Sequence, residues 1–382
     1  RRRRVLPRDR ASTRAESRRE RGGSAAVLRW SLEHLLGALG GTLAASGTPK
    51  EGMSLRVAAA LCLALAQALS PPRVHFSPLF EAHAVPAAHP ERCDRASVAL
   101  VAVEQLEGVR LVETLKLRPD LQEHLERVHD AEYLADLARP VGPKELRSFD
   151  ADTWMGAASW NVTRLATTAW LNAVDCALED ASTVDFALTR PPGHHARKDQ
   201  AMGFCTLNHA AVSTAYALTK VDRVAILDID VHLGNGVASI FGGFEPQHRG
   251  RVRYASLHQH PCFPGSGGDS TMFGPLDTIL FVPLPAGTAG SEWLAVLEGD
   301  VLPWLSDLKP QLLVVSAGFD ALATDALAQL ELSPADFFAA GRAIRKTFPD
   351  LPVVAGLEGG YDMQAMPLAL SEFVRGCGVR EE

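Results

Sequence analysis

Residues 224–236, VAILDIDVHLGNG, constrain this chain more than any other stretch. Val224 to Leu227 form an apolar run of the kind shown by a strand buried on both faces. The run then turns polar, with Asp228, Asp230 and His232 at alternate positions. On an extended chain, residues two apart face the same side. Two carboxylates and an imidazole therefore converge at the carboxyl end of a buried strand. Gly234-Asn235-Gly236 follows, a turn that can take the positive φ angles of a sharp exit. Open α/β sheets bind ligands in the crevice outside the carboxyl ends of their strands. Oxygen and nitrogen donors in that place predict a metal site. The alternative is an Asp-rich strand end that caps the next helix.

The same pattern recurs along the chain. Residues 184–188 read as a strand that exits into Thr189-Arg190-Pro191-Pro192-Gly193-His194-His195. Paired prolines forbid helix and fix an extended rim, where two adjacent histidines are hard to explain as core residues. Residues 312–316 (LLVVS) exit at Ala317-Gly318-Phe319-Asp320, and residues 351–355 lead to Glu358-Gly359-Gly360-Tyr361. Further strands are predicted at 252–257 and 278–284. Helices are predicted at 97–106, 121–138, 161–178, 210–218, 237–241, 291–305, 334–348 and 367–375. From Val74 a strand is predicted, followed by a long loop ending in His89-Pro90-Glu91-Arg92, and residues 149–159 also read as a loop. Strands alternating with helices imply an α/β fold: one large domain with an open parallel β-sheet and helices on both faces. In such a sheet several strand ends share one edge, so the four exits can meet.

Charge divides the chain. Residues 1–52 hold twelve Arg/Lys against five Asp/Glu, while the whole chain carries −7, so the remainder is acidic. An acidic body argues against direct nucleic-acid binding, which needs a basic face. The 1–52 segment reads as a disordered basic extension: a nucleic-acid or targeting arm, a piece of a longer leader, or upstream sequence not normally translated. Met53 opens MSLRVAAALCLALAQALSPP, with one positive charge, an apolar run and small residues in the order of a secretory signal. Its rival is a buried N-terminal helix. The run is too short for a membrane span. A true signal over residues 53–70 sends the protein to the secretory route or a membrane-bound organelle; otherwise cytoplasm or nucleus is expected. The catalytic domain is expected over residues 71–382. The six cysteines (62, 93, 176, 205, 262 and 377) show no CxxC spacing, so neither a zinc finger nor a disulfide scaffold is expected.

RPPGHHA (190–196), Gly203-Phe204-Cys205, DIDVHLGNG (228–236), SAGFD (316–320) and EGGY (358–361), in this order, resemble the histone deacetylase and acetylpolyamine amidohydrolase superfamily. Ser256-Leu257-His258 followed by Phe263-Pro264-Gly265, together with Glu358, is closer to its class II and bacterial-type members. The resemblance covers residues 74–376. It implies removal of acetyl groups from acetyl-lysine in histones or other proteins, or from acetylpolyamines and other small acylated amines. It also implies Zn²⁺ held by Asp230, His232 and Asp320. Three protein ligands leave an open position, the catalytic pattern. By the same resemblance His194 pairs with Asp228 and His195 with Asn235. A carboxylate partner raises imidazole basicity more than an amide does. That favours His195 as general base and acid and His194 as a cationic partner, an assignment the sequence leaves open. Tyr361 would donate to the developing oxyanion.

The resemblance further implies a narrow tunnel flanked by Phe204 and Phe263, with Gly203 and Gly360 beside it. It implies a monovalent-cation site, with K⁺ expected, at Asp228, the backbone oxygens of Asp230, His232 and Leu257, and the Ser256 hydroxyl. Asp152 is a rim candidate for holding the substrate backbone. Two departures stand out: Leu233 replaces a second His, and His209 an Asn or Asp. A binuclear arginase-like hydrolase would need an Asp where Leu322 stands. A non-catalytic acyl-lysine-binding scaffold is the remaining competitor, and a turnover assay separates it.

Overall fold

The structure is a computed structural model that describes residues 71–242, 250–269, 272–273 and 278–378. The readings of residues 1–52 and 53–70 lie outside the described residues. The strands in chain order are β1 (Arg73–Phe76), β2 (Arg110–Glu113), β3 (Arg147–Ser148), β4 (Trp154–Met155), β5 (Val184–Ala187), β6 (Val224–Asp228), β7 (Val252–Gln259), β8 (Met272–Phe273), β9 (Ile279–Leu284), β10 (Leu312–Ala317) and β11 (Val353–Leu357). Nine of them form one sheet in the order β2-β1-β5-β11-β10-β6-β7-β9-β8. Eight run parallel, and β8 joins β9 antiparallel at one edge. Among the described residues β3 and β4 pair with each other alone.

The register decides where the chemistry lands. Ala187, Gly356, Ser316, Asp228 and Ser256 form one row across β5, β11, β10, β6 and β7. Immediately beyond that row the chain carries the His194–His195 pair, Tyr361, Asp320 and the Asp230–His232 pair. The four exits therefore leave the sheet at one level.

Alternate residues of the central strands feed two cores. Ala225, Leu227, Leu313, Val315 and Val353 pack with helices α1 (Arg95–Val103), α7 (Gly290–Val296), α8 (Leu302–Asp307), α9 (Pro334–Thr347) and α10 (Ala365–Gly378). Val224, Ile226, Leu312, Val314 and Val354 pack with α2 (Leu121–Glu126), α3 (Ala131–Leu137), α4 (Ser159–Glu179), α5 (His209–Ala217) and α6 (Asn235–Phe241). Each fully buried aliphatic side chain contributes roughly 1.5–3 kcal/mol of transfer free energy. VAIL and LLVV are buried on both faces in the middle of the sheet. Among the described residues no helix is long and apolar enough to cross a membrane.

Four local expectations are corrected. Residues 121–138 form two helices rather than one. His129 accepts from Asn208 N through Nε2 at 3.0 Å and faces Arg197 O through Nδ1 at 3.0 Å, while Asp130 N reaches Lys198 O at 2.9 Å. These bonds to the loop after the histidine pair pull residues 127–130 out of the helix. Residues 291–305 stay helical but not as one regular α-helix: they widen to a π turn at Leu297–Val301 before α8, whose Pro303 carries no N–H. The two stretches read as loops hold a 3₁₀ turn at Pro78–Ala82 and the strand β4, which pairs back onto β3 just before its stretch. β2 was not foreseen: RLVE has no apolar run, and it lies mostly exposed at the sheet edge.

Candidate active site

The β6 exit and the β10 exit meet first. His232 Nδ1 lies 3.1 Å from Asp230 Oδ1 and 3.0 Å from Asp320 Oδ2. One potential ligand atom from each of the three residues lies within 4.8 Å of the other two, and all three are buried. Main-chain donors aim the carboxylates: His232 N and Gly359 N donate to Asp230 at 2.9 and 2.7 Å, and Val231 N donates to Asp320 at 2.9 Å. Gly359 has to be glycine, because a Cβ there would sit 2.0 Å from Asp320 Oδ2. Burial, then the neighbouring Asp230, raises the Asp320 carboxyl to about 6. Burial pushes Asp230 the same way, but His194 and His232 beside it hold it below the ordinary range. Two carboxylates crowded on one imidazole, away from water, need positive charge. The donor set is oxygen and nitrogen only and suits Zn²⁺.

A second His/Cys/Asp grouping, His75–Cys176–Asp185, differs in this respect. Arg73 already grips both oxygens of Asp185, at 2.7 and 2.6 Å.

The β5 exit brings the histidine pair alongside. His194 Nδ1 donates to Asp228 Oδ2 at 3.0 Å, and His195 Nδ1 donates to Asn235 Oδ1 at 2.8 Å. The Asn235 amide nitrogen faces Met202 Sδ at 3.3 Å, which agrees with its oxygen being the acceptor. On the neutral His195 ring that bond leaves Nε2 as the acceptor, whereas His194 Nε2 faces Asp230 Oδ1 at 3.7 Å. The two rings are 4.0 Å apart, and both are buried. Burial opposes charge on His194, yet Asp230 and Asp228 outweigh it and raise its pKa to about 10. For His195 burial acts first and His194 and His232 add to it, so its pKa falls well below the usual imidazole value. The pair thus divides into a cationic and a neutral ring.

These groups open onto a cavity of about 220 Å³ lined by Asp152, His195, Gly203, Phe204, His232, Cys262, Phe263, Leu327 and Tyr361. That is below the roughly 300–1,000 Å³ of drug-sized sites and suits one linear side chain. Phe204 holds a positive φ of 67°, a strained conformation for a bulky residue. It places the ring edge-on to Tyr361 at 5.7 Å. Phe263 packs edge-on to His195 at 4.9 Å from the other side. Burial raises the Tyr361 phenol well above its usual pKa, so its O–H is a donor. Gly203 lines the cavity, whereas Gly360 is not among the lining residues and instead offers its carbonyl to Arg95. In the expected monovalent-cation site, Asp228 and Ser256 sit side by side in register with Leu257 next along β7. Ser256 Oγ lies 3.0 Å from His258 Nδ1.

Sequence reasoning missed the groups behind the site. Arg190, the first residue of the RPPGHH run, grips both oxygens of Glu91 at 2.9 and 2.6 Å. Glu91 also accepts from Arg95 at 3.1 Å, and Arg95 donates to the carbonyls of Gly360 and Glu358 at 2.8 Å each. Its guanidinium lies 4.7 Å over the Tyr361 ring. Glu358 accepts from Gly193 N and His194 N at 2.6 and 3.1 Å. One buried network therefore clamps the histidine rim to the tyrosine loop. Charged residues flanking both motifs were the available signal. Cys262, Leu327 and Asp325, whose carboxylate accepts from Tyr361 N at 2.7 Å, carried none. His209 is buried under the rim, donating to Pro191 O at 3.2 Å, and burial lowers its pKa to about 4. Leu233 is buried.

Residues 89–377 match the family model for the histone deacetylase domain. An uncharacterized protein of Synechocystis is 39% identical over 305 residues, covering 78% of this chain and 97% of its own length. A histone deacetylase-like amidohydrolase of Pseudomonas aeruginosa is 35% identical over 268 residues, 67% of this chain and 69% of its own. The solved acetylpolyamine aminohydrolase of Burkholderia pseudomallei superposes with a TM-score of 0.71 at 26% identity, covering 81% of this chain and 99% of its own.

Proposed function

Because this chain belongs to the histone deacetylase domain family, a family of amide hydrolases, we propose that it is a zinc-dependent deacetylase of acetyl-lysine side chains, nearest the class II and bacterial-type members. One observation carries the reading. The buried Asp230, His232 and Asp320 donors and the His194–His195 pair lie together, and His232 and His195 open from them into one narrow cavity walled by Phe204, Phe263 and Tyr361. Asp230, His232 and Asp320 would hold the zinc, which when bound acidifies water and polarises a carbonyl. K⁺ at Asp228 and Ser256 belongs to the same proposal.

The remaining steps fall to the protein's own groups. Phe204 and Phe263 sheathe the apolar stem of the substrate and exclude bulk water. Neutral His195 takes a proton from the attacking water at Nε2 and delivers it to the leaving amine. His194, hydrogen-bonded to the Asp228 carboxylate, acts as the cationic partner that stabilises the negative charge that builds at the reacting carbon's oxygens. Tyr361 donates its phenol hydrogen to the former carbonyl oxygen. Arg95 and Asp325 hold that tyrosine from behind.

A small acylated amine is the second reading. It is favoured by the likeness to an acetylpolyamine aminohydrolase and by the Asp152 carboxyl in the cavity wall, which suits a second ammonium group. A parallel assay of acetyl-lysine peptides and acetylpolyamines, with metal analysis of the purified protein, tests both. Turnover in wild type that is lost in Asp230→Asn and Tyr361→Phe supports the mechanism. Equal rates in all three proteins, or protein isolated without bound transition metal, overturn it.

A further inference from the structure

We propose that Tyr254 is a positioning residue for both active-site histidines. Its hydroxyl ties the carboxylate that partners His194 to the turn that carries the partner of His195. The inference rests on the hydrolytic reading above, and its geometry is independent of it.

Tyr254 stands on β7, inside an otherwise closely packed apolar core. Its partner across the sheet is Ile226 of β6, two residues before Asp228. Two residues of strand span about 6.6 Å. A phenol reaching along the sheet covers that distance, and a serine or threonine hydroxyl does not. The hydroxyl accordingly arrives 2.8 Å from Asp228 Oδ2 and 3.1 Å from Gly234 O. Asp228 Oδ2 is the same oxygen that accepts from His194 Nδ1 at 3.0 Å. Its other oxygen accepts from Asp230 N at 3.2 Å. With Tyr254 on one lone pair of Oδ2, the carboxylate has a single direction left to offer His194.

Gly234 is the other end of the tie. It directly precedes Asn235, whose side chain orients His195. A Cβ at Gly234 would lie 2.2 Å from Asp228 Oδ2 and 2.3 Å from the Tyr254 hydroxyl, so the turn can approach only as glycine. Tyr254 is fully buried and is not among the residues that line the cavity. Its single hydroxyl hydrogen goes to Asp228 Oδ2 at the shorter distance and is shared with the Gly234 carbonyl, and the Ser256 hydroxyl lies on the same oxygen.

The test is Tyr254→Phe in the full chain, which keeps the ring in the core and deletes only the hydroxyl. Steady-state kinetics on the best acyl-amine substrate are read with metal content, and the downfield imidazole N–H resonance of His194 is followed by NMR, assigned with Asp228→Asn. We expect kcat to fall about tenfold, the scale of one hydrogen bond to a charged group. KM should move less than about twofold, metal content should hold, and the His194 resonance should shift. An unchanged kcat with an unmoved resonance overturns the inference. So does a kcat loss matched by metal loss, or one confined to KM. Absence of turnover in wild type is a failure of the functional reading alone; the resonance then decides the role of Tyr254.

Discussion

Behind His232, at the floor of the cavity, the carboxylates are set by the main chain: Asp230 by the N–H groups of His232 and Gly359, Asp320 by that of Val231. These donors sit on strand exits levelled by the sheet register. At the mouth, Phe263 is 39% exposed and, like Cys262, belongs to a loop, while Asp152 comes from the loop joining β3 and β4. The contrast says that the sheet fixes what reaction is available and the loops fix what can enter. Sites built on rigid elements are the more precise. The comparison breaks if a mouth residue proves as costly to change as a floor residue. Asp230→Asn is expected to lower kcat/KM by more than about a thousandfold and to empty the metal site. Phe263→Ala is expected to cost less than about tenfold, mostly in KM, with metal content intact.

Stability separates the two regions next. Glu91 is fully buried between Arg190 and Arg95, so Glu91→Gln leaves two guanidinium groups short of charge. Breaking a buried pair this way costs roughly 3–5 kcal/mol. Burial pushes the Glu91 carboxyl up, and the two arginines more than reverse it, so its folded pKa is depressed. Its contribution is therefore full above the unfolded-chain value of about 4.3 and is lost as pH falls through the lower folded value. Urea unfolding at pH 7 should show the deficit in the variant, and the difference should shrink on acidification below pH 4. A mouth substitution such as Leu327→Ala should shift the midpoint far less.

The floor was also the legible part of the sequence. Asp228, Asp230 and His232 announce themselves because strand alternation and an abrupt polar switch are short-range patterns. The same holds for the order of strands and helices. Pairing of His194 with Asp228 needed the resemblance, since no local pattern joins residues 34 apart. The clamp of Glu91, Arg95 and Arg190 was hidden for a related reason. Its partners come from separate elements, and Arg190 and Glu91 stand 99 residues apart. Helix 121–138 failed because tertiary bonds at His129 overrode its local periodicity. Leu327 and Cys262 belong to no motif, and their meaning is given only by where their loops stop.

The smallest expected effect bears on substrate choice and lies wholly at the mouth. Asp152 is partly buried; burial first, then Asp150 beside it, raises its carboxyl to about 6. Above that pH it is ionised and favours a substrate with a second ammonium group close to the acyl amide. Ion pairs at such partly exposed sites are worth about 0.2–1 kcal/mol, which is up to about fivefold in KM. Asp152→Asn should therefore raise KM for an acetylpolyamine up to about fivefold at pH 8 and leave KM for an acetyl-lysine peptide with uncharged flanks unchanged. As pH falls through about 6, the wild-type carboxyl takes up its proton, and its polyamine KM should converge on that of the variant. A pH-independent gap between the two proteins, or equal shifts for both substrates, would mean that the charge of Asp152 does not select at the mouth and that the apolar lip formed by Phe263 and Leu327 does.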